Sequence, residues 1–189
     1  MKRLLFTSLL IVSLTTLFAQ NKYHASNVTI KMEGTSTFHD WHMTSQEAAT
    51  HVAFNFNGGS LTAMPSLVVT VPVEALKSGT RALNNNAYKA MKSGKYPSIT
   101  FTSGYANIRP DGPNKYTLNV QGKLNVAGVT RDVVLVVGCV VNPATMTIEA
   151  SGSYKLKMTD YQVDPPSFMF GAMKTGNEVT IKFNATLSK

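Results

Sequence analysis

The side chains with the most chemical potential in this chain are packed into one short stretch, "GTSTFHDWHMTS", from Gly34 to Ser45. It holds two of the four histidines, an aspartate and the only tryptophan. Two chemistries come to mind, a metal site and a hydrolytic centre. A metal needs its ligands to converge. If Thr35 to Met43 is one strand, alternate residues share a face. Phe38, Asp40 and His42 then lie on one side, and Thr37, His39, Trp41 and Met43 on the other. His39 and His42 point apart, and neither His24 nor His51 has a ligand spacing to them. No metal site is expected. A hydrolase of the strand–turn–helix type would carry its serine in a G-x-S-x-G elbow, and no such elbow occurs. The stretch therefore reads as architecture. Asp40 accepts hydrogen bonds from nearby groups and Trp41 fills one end of the fold. A polar role for His39 or Asp40 beside a pocket is the sharper alternative.

The single cysteine, Cys139, sits inside "VVLVVGCVVN". One thiol makes no intramolecular disulfide. With no charge nearby to favour a thiolate, Cys139 is expected to be a small buried hydrophobe.

The chain starts with Lys2 and Arg3, an apolar run from Leu4 to Phe18 diluted only by Ser and Thr, and then Ala19. This is the pattern of a secretory signal peptide over residues 1–19. The run is shorter than the roughly 20 residues of a spanning helix. The mature chain, residues 20–189, is then one domain, exported to the periplasm or beyond. Without Lys2 and Arg3 the formal charge falls from +8 to +6. The remaining bases are scattered, as at Lys155, Lys157, Lys174 and Lys182. That spacing argues against a nucleic-acid partner and leaves room for loose, transient contact with an anionic membrane surface.

The elements that must position these residues are mostly strands. "NVTIKMEG" alternates Val28, Ile30 and Met32 with polar residues, and "HVAFNFN" repeats the pattern. "SLVVTVPV", "SITFTSGYANI", "KYTLNVQGKLNV", "RDVVLVVGCVVN", "TMTIEASGSYKLKM" and "NEVTIKFNATL" follow. Turn signals fall at Gly58-Gly59, "RPDGPN", Ala127-Gly128 and Asn142-Pro143. One short helix is expected near Asn86 to Met91, capped by one of Asn84 to Asn86. About eight or nine antiparallel strands with one helix make an all-β closed barrel or sandwich. Val133 to Val141 is apolar on both faces. It calls for a lumen on one side and a helix or a second subunit on the other, as in a homodimer.

Taken in order, "GTSTFHDWHM", "VPVEALKSG", "NNNAYKAMKSGKYPSITFTS", "YTLNVQGKLNVAGVTRDVVLVV" and "DYQVDPPSFMFGAMKTGNEVTIKF" resemble the YceI-like polyisoprenoid-binding family across nearly the whole mature chain. The resemblance implies an extended, lipocalin-like antiparallel barrel of about eight strands. It also implies a periplasmic location and an apolar ligand in the lumen, a polyisoprenoid or an isoprenoid quinone. It implies no other cofactor. The candidate lumen faces carry Phe54, Phe56, Ile99, Phe101, Leu118, Val120, Val133, Leu135, Ile181 and Phe183. A one-residue slip in register would exchange inside for outside. His39, Asp40 and Trp41 are candidates for the pocket mouth. Two other readings stay open: an enzyme acting on an apolar substrate near the HDWH segment, and a ligand-free structural or interaction protein.

Overall fold

Residues 21–168 and 173–189 are described by a computed structural model. The expected leader, residues 1–19, lies outside the described residues. The period-two segments form strands, since alternating β-branched or aromatic and polar side chains suit a sheet with one dry face. They are β1 (Asn21–Ser36), β2 (Trp41–Ser45), β3 (Ala49–Asn57), β4 (Ser60–Pro72), β5 (Ser98–Pro110), β6 (Lys115–Val126), β7 (Val129–Val141), β8 (Ile148–Lys157), β9 (Ser167–Phe168) and β10 (Met173–Ser188). All pair antiparallel in the order β2-β1-β3-β4-β5-β6-β7-β8-β10-β9, and β1 also pairs with β10. That last ladder, from His24↔Ser188 to Ser36↔Thr175, closes an eight-stranded barrel. The short β2 and β9 are added at one end. Closure removes the free edges that an open sheet would expose.

All four turn signals fall between paired strands. Gly58 and Gly59 both have positive φ, as the tight β3–β4 hairpin requires. Ala127 takes φ 51° beside Gly128 at the β6–β7 hairpin.

The helix is longer than the sequence suggested. α1 spans Arg81–Ala90, and its N-cap is Thr80, whose hydroxyl accepts from the Leu83 amide at 3.4 Å. The asparagines do not cap it. Asn84 is occupied by Ser78, whose amide and hydroxyl donate to Oδ1 at 2.7 and 2.8 Å. α1 packs across one end of the barrel, so it does not cover the outside of β7. Val134, Val136 and Val140 there are exposed.

The opening motif is also not one strand. β1 stops at Ser36, the chain turns through Thr37 to Asp40, and β2 returns from Trp41. Ser36 Oγ donates to the His39 carbonyl at 2.6 Å and draws the turn together. Thr37 and Lys174 exchange hydrogen bonds, amide to carbonyl at 3.0 Å and amide to Oγ1 at 2.9 Å. The turn is thereby tied to the start of β10. The Trp41 indole lies against Gly34 on the facing strand and donates from Nε1 to the Thr35 carbonyl at 3.1 Å. These contacts make the segment a clamp at the rim of the barrel.

Candidate ligand-binding lumen

The inward positions of the barrel strands enclose a chamber of about 170 Å³. Val28, Ile30 and Met32 of β1 line it, and every other barrel strand contributes. Thr50, Cys139 and the Tyr154 phenol supply the few polar atoms of its side-chain wall. A second chamber of about 80 Å³ lies under α1, and Met32, Ile99 and Ile181 line both. The upper chamber is walled by Trp41, Met43, Met91 and Met158, with Asn86 of α1, Tyr161 and Thr175 as polar groups.

Glycines let two aromatic rings lie flat on the wall. Gly152 on β8 stands directly opposite Phe183 on β10, and a Cβ there would fall 2.5 Å from the ring. Gly122 on β6 is not opposite Phe101, which pairs with Leu124, but a Cβ there would also fall 2.5 Å from the Phe101 ring. A side chain at either glycine would drive the ring into the lumen.

Of the residues picked from sequence, Phe54, Ile99, Phe101, Leu118, Val120, Leu135, Ile181 and Phe183 line the main chamber. Two do not. β3 is irregular between Ala53 and Asn55 and again before Phe56, so Phe56 no longer follows Phe54 onto the chamber wall. Its ring packs 6.4 Å from Tyr23 below the chamber. Val133 is buried but borders a groove on the outside of the barrel, beyond the point where β7 stops pairing with β8. At the rim, Trp41 lines the upper chamber, whereas His39 and Asp40 are exposed on the turn and line neither chamber. Met32, Met64, Leu67, Val69, Cys139, Ala150, Tyr154 and Ala185 are among the further residues of the wall. The alternation in "NVTIKMEG" could have supplied Met32. The continuous apolar run of β4 gives no parity from which to choose Leu67 and Val69.

Cys139 is 2 % exposed, and burial pushes its thiol up to about 12. It is a wall residue with no thiolate at neutral pH. Tyr161 is likewise raised to about 12, first by burial and then by Tyr154 and Asp160. Among the described residues no three His, Cys, Asp or Glu side chains converge as a metal site.

Comparison with known proteins agrees with this architecture. The chain is similar to the crystal structure of Burkholderia cenocepacia BcnA (22 % identity, TM-score 0.67, 86 % of this chain and 96 % of that one). It is similar to a polyisoprenoid binding domain from Saccharophagus degradans implicated in plant cell wall breakdown (11 %, 0.64, 88 % and 97 %). It is also similar to the Campylobacter jejuni YceI protein (16 %, 0.56, 98 % and 97 %). At these identities the likeness is one of fold. No curated protein sequence matches significantly. The model of the YceI-like domain matches residues 16–187, nearly the full chain, and the protein therefore belongs to the YceI-like family.

Proposed function

We propose that this protein is an exported carrier or store for a long apolar lipid, a polyisoprenoid or isoprenoid quinone, held in the barrel lumen in the periplasm. The observation that carries the reading is the chamber wall, which is apolar but for Thr50, Cys139 and the Tyr154 phenol and adjoins a second, largely apolar chamber across Met32, Ile99 and Ile181. A filled core would favour a structural protein, and a polar cluster beside the cavity would favour an enzyme. The exposure of His39 and Asp40, away from both chambers, supports binding over catalysis. The polyisoprenoid-binding description of the Saccharophagus relative points the same way.

Apolar area removed from water contributes about 25 cal/mol per Å². A chain filling both chambers gains far more from its tail than from its head. Asn86 is the polar side chain of α1 within reach of a headgroup left at the upper end. The test is organic extraction of protein purified from its native host, followed by mass spectrometry. A stoichiometric prenyl lipid is the expected result, and protein free of lipid would sink the reading. Export is supported by Lys2, Arg3 and the run from Leu4 to Phe18. N-terminal sequencing should begin within a few residues of Gln20.

A further inference from the structure

β7 and β8 share a ladder over only part of their length. Pairing runs from Val141↔Ile148 to Val136↔Ser153 and stops. Both strands continue, β7 back to Val129 and β8 on to Lys157. Over that stretch, among the described residues, β7 is paired with β6 alone and β8 with β10 alone. At the far end Arg131 Nε donates to the Asp160 carbonyl at 2.8 Å, from the 3-10 turn that follows β8. Between that bond and the last ladder pair lies a slit four strand residues long, about 13 Å at roughly 3.3 Å per residue.

A groove on the outside of the barrel crosses the same wall, from Leu67 on β4 over Ser103, Gly122 and Val133 to Tyr154 on β8. Leu67 and Tyr154 line both this groove and the lumen. Each stands where its ladder ends: Leu67↔Ser103 is the last β4–β5 pair, and Tyr154 follows Ser153. The wall is one side chain thick at both places. Below Leu67 it is closed again, because the Leu61 amide donates to the Tyr116 hydroxyl at 3.2 Å across β5. Beyond Tyr154 the Arg131–Asp160 bond is the only side-chain tie from β7 to the β8 side among the described residues. Beside the slit, Val134 and Val136 are 50 % and 54 % exposed on the outer face of β7. Lys123, Lys155 and Lys157 are exposed around them, with Asp132 held by Lys123 at 2.8 Å.

We propose that this slit is a lateral portal through which a hydrocarbon chain passes between the lumen and a lipid bilayer lying against the outer face of β7. The proposal rests on the lumen binding such a chain. Tyr154 is the side chain that turns to admit it, and the Arg131–Asp160 bond is the latch. The valines meet the acyl region, and the basic rim meets anionic headgroups. A second copy would bring the same basic rim against this face, which favours the bilayer as its occupant.

The test uses the mature protein with Cys139→Ala, Val134→Cys and Lys155→Cys, bridged by a bismaleimide. All three positions leave the Arg131 latch and Tyr154 intact. The probe is the polyprenol solanesol, supplied in phosphatidylcholine–phosphatidylglycerol vesicles. Bridging should slow uptake about tenfold or more while leaving final occupancy unchanged. The same bridge between Asn107→Cys and Asn119→Cys, across the paired β5–β6 ladder, should leave the rate alone. Arg131→Ala should raise it. Equal rates with and without the β7–β8 bridge would overturn the portal while leaving the carrier reading intact. Unbridged protein that takes up no solanesol at all would overturn the carrier reading itself. A dimer dispersed by Val136→Lys would assign the face to a second copy and overturn the bilayer.

Discussion

The two ends of the barrel are built from different materials. At the lower end, where β1 begins and β10 ends, the rings of Tyr23 and Phe54 meet edge to face at 5.6 Å, and Phe56 packs against Tyr23. Tyr116 reaches across β5 to hold the Leu61 amide, while Ile148 and Val141 fill the space beside them. At the upper end four methionines, Met32, Met43, Met91 and Met158, share the wall with Ala87 and Ala90 of α1 and with Trp41 and Tyr161, whose rings form no aromatic pair among the described residues. Aromatic pairs have fixed geometry, and methionine adapts to irregular shapes. The lower end is a floor of paired rings, and the upper end is a roof rich in adaptable side chains.

The sharpest way to break that contrast is at the floor. Phe54→Ala should cost about 3–5 kcal/mol of stability, because a buried ring leaves a cavity the surrounding barrel cannot collapse into. Denaturant unfolding measures it, and a loss below 1 kcal/mol would mean the floor is not packed as described. Tyr116→Phe should cost about 1–3 kcal/mol, since it removes only the hydroxyl and leaves the buried Leu61 amide without its acceptor. The same measurement on Phe56→Leu, at a half-buried position, provides the smaller reference.

At the roof the expectation is milder. Met91→Leu conserves volume and should cost less than about 1.5 kcal/mol, yet it should narrow the range of chain shapes the protein binds. Equal narrowing by a floor substitution would erase the distinction between the two ends. The smallest effect belongs to the surface. Lys182 and Lys31 hold the Glu33 carboxylate near 2, down from 4.5, by hydrogen bonds at 2.6 Å each. A depressed carboxylate stabilises the fold above its unfolded value and loses that contribution as pH falls from about 4.5 towards about 2. Glu33→Gln should flatten the acid limb of the unfolding profile in that window, and the flattening should fade at high salt.

Much of the barrel could be read from residue order because alternation is a direct consequence of one dry face. Val28, Ile30 and Met32 or Leu118 and Val120 announce both the strand and the shared side. What alternation does not carry is pairing. The irregularities in β3 that remove Phe56 from the wall depend on how β3 meets β4, and no residue in "HVAFNFN" signals them. The end of the β7–β8 ladder at Val136 is equally silent, since "VVLVVGCVV" reads the same whether or not a neighbour is present. Residue type alone does not locate the helix start, because Asn84 is as good a cap by type as Thr80. Only the contact with Ser78 shows that its side chain is already engaged. The HDWH stretch misled for a similar reason: Ser36 turns the chain with a local hydrogen bond that competes with strand extension.

The central claim is that the lumen recognises a long apolar chain chiefly by burying it. Its most direct measurement is the affinity of the purified protein for prenyl alcohols of increasing length with the same hydroxyl head, read by calorimetry. Affinity should climb with each added prenyl unit until both chambers are filled, then level off, with a negative heat-capacity change that grows in step. Affinity independent of length, or no binding at any length, would contradict the account.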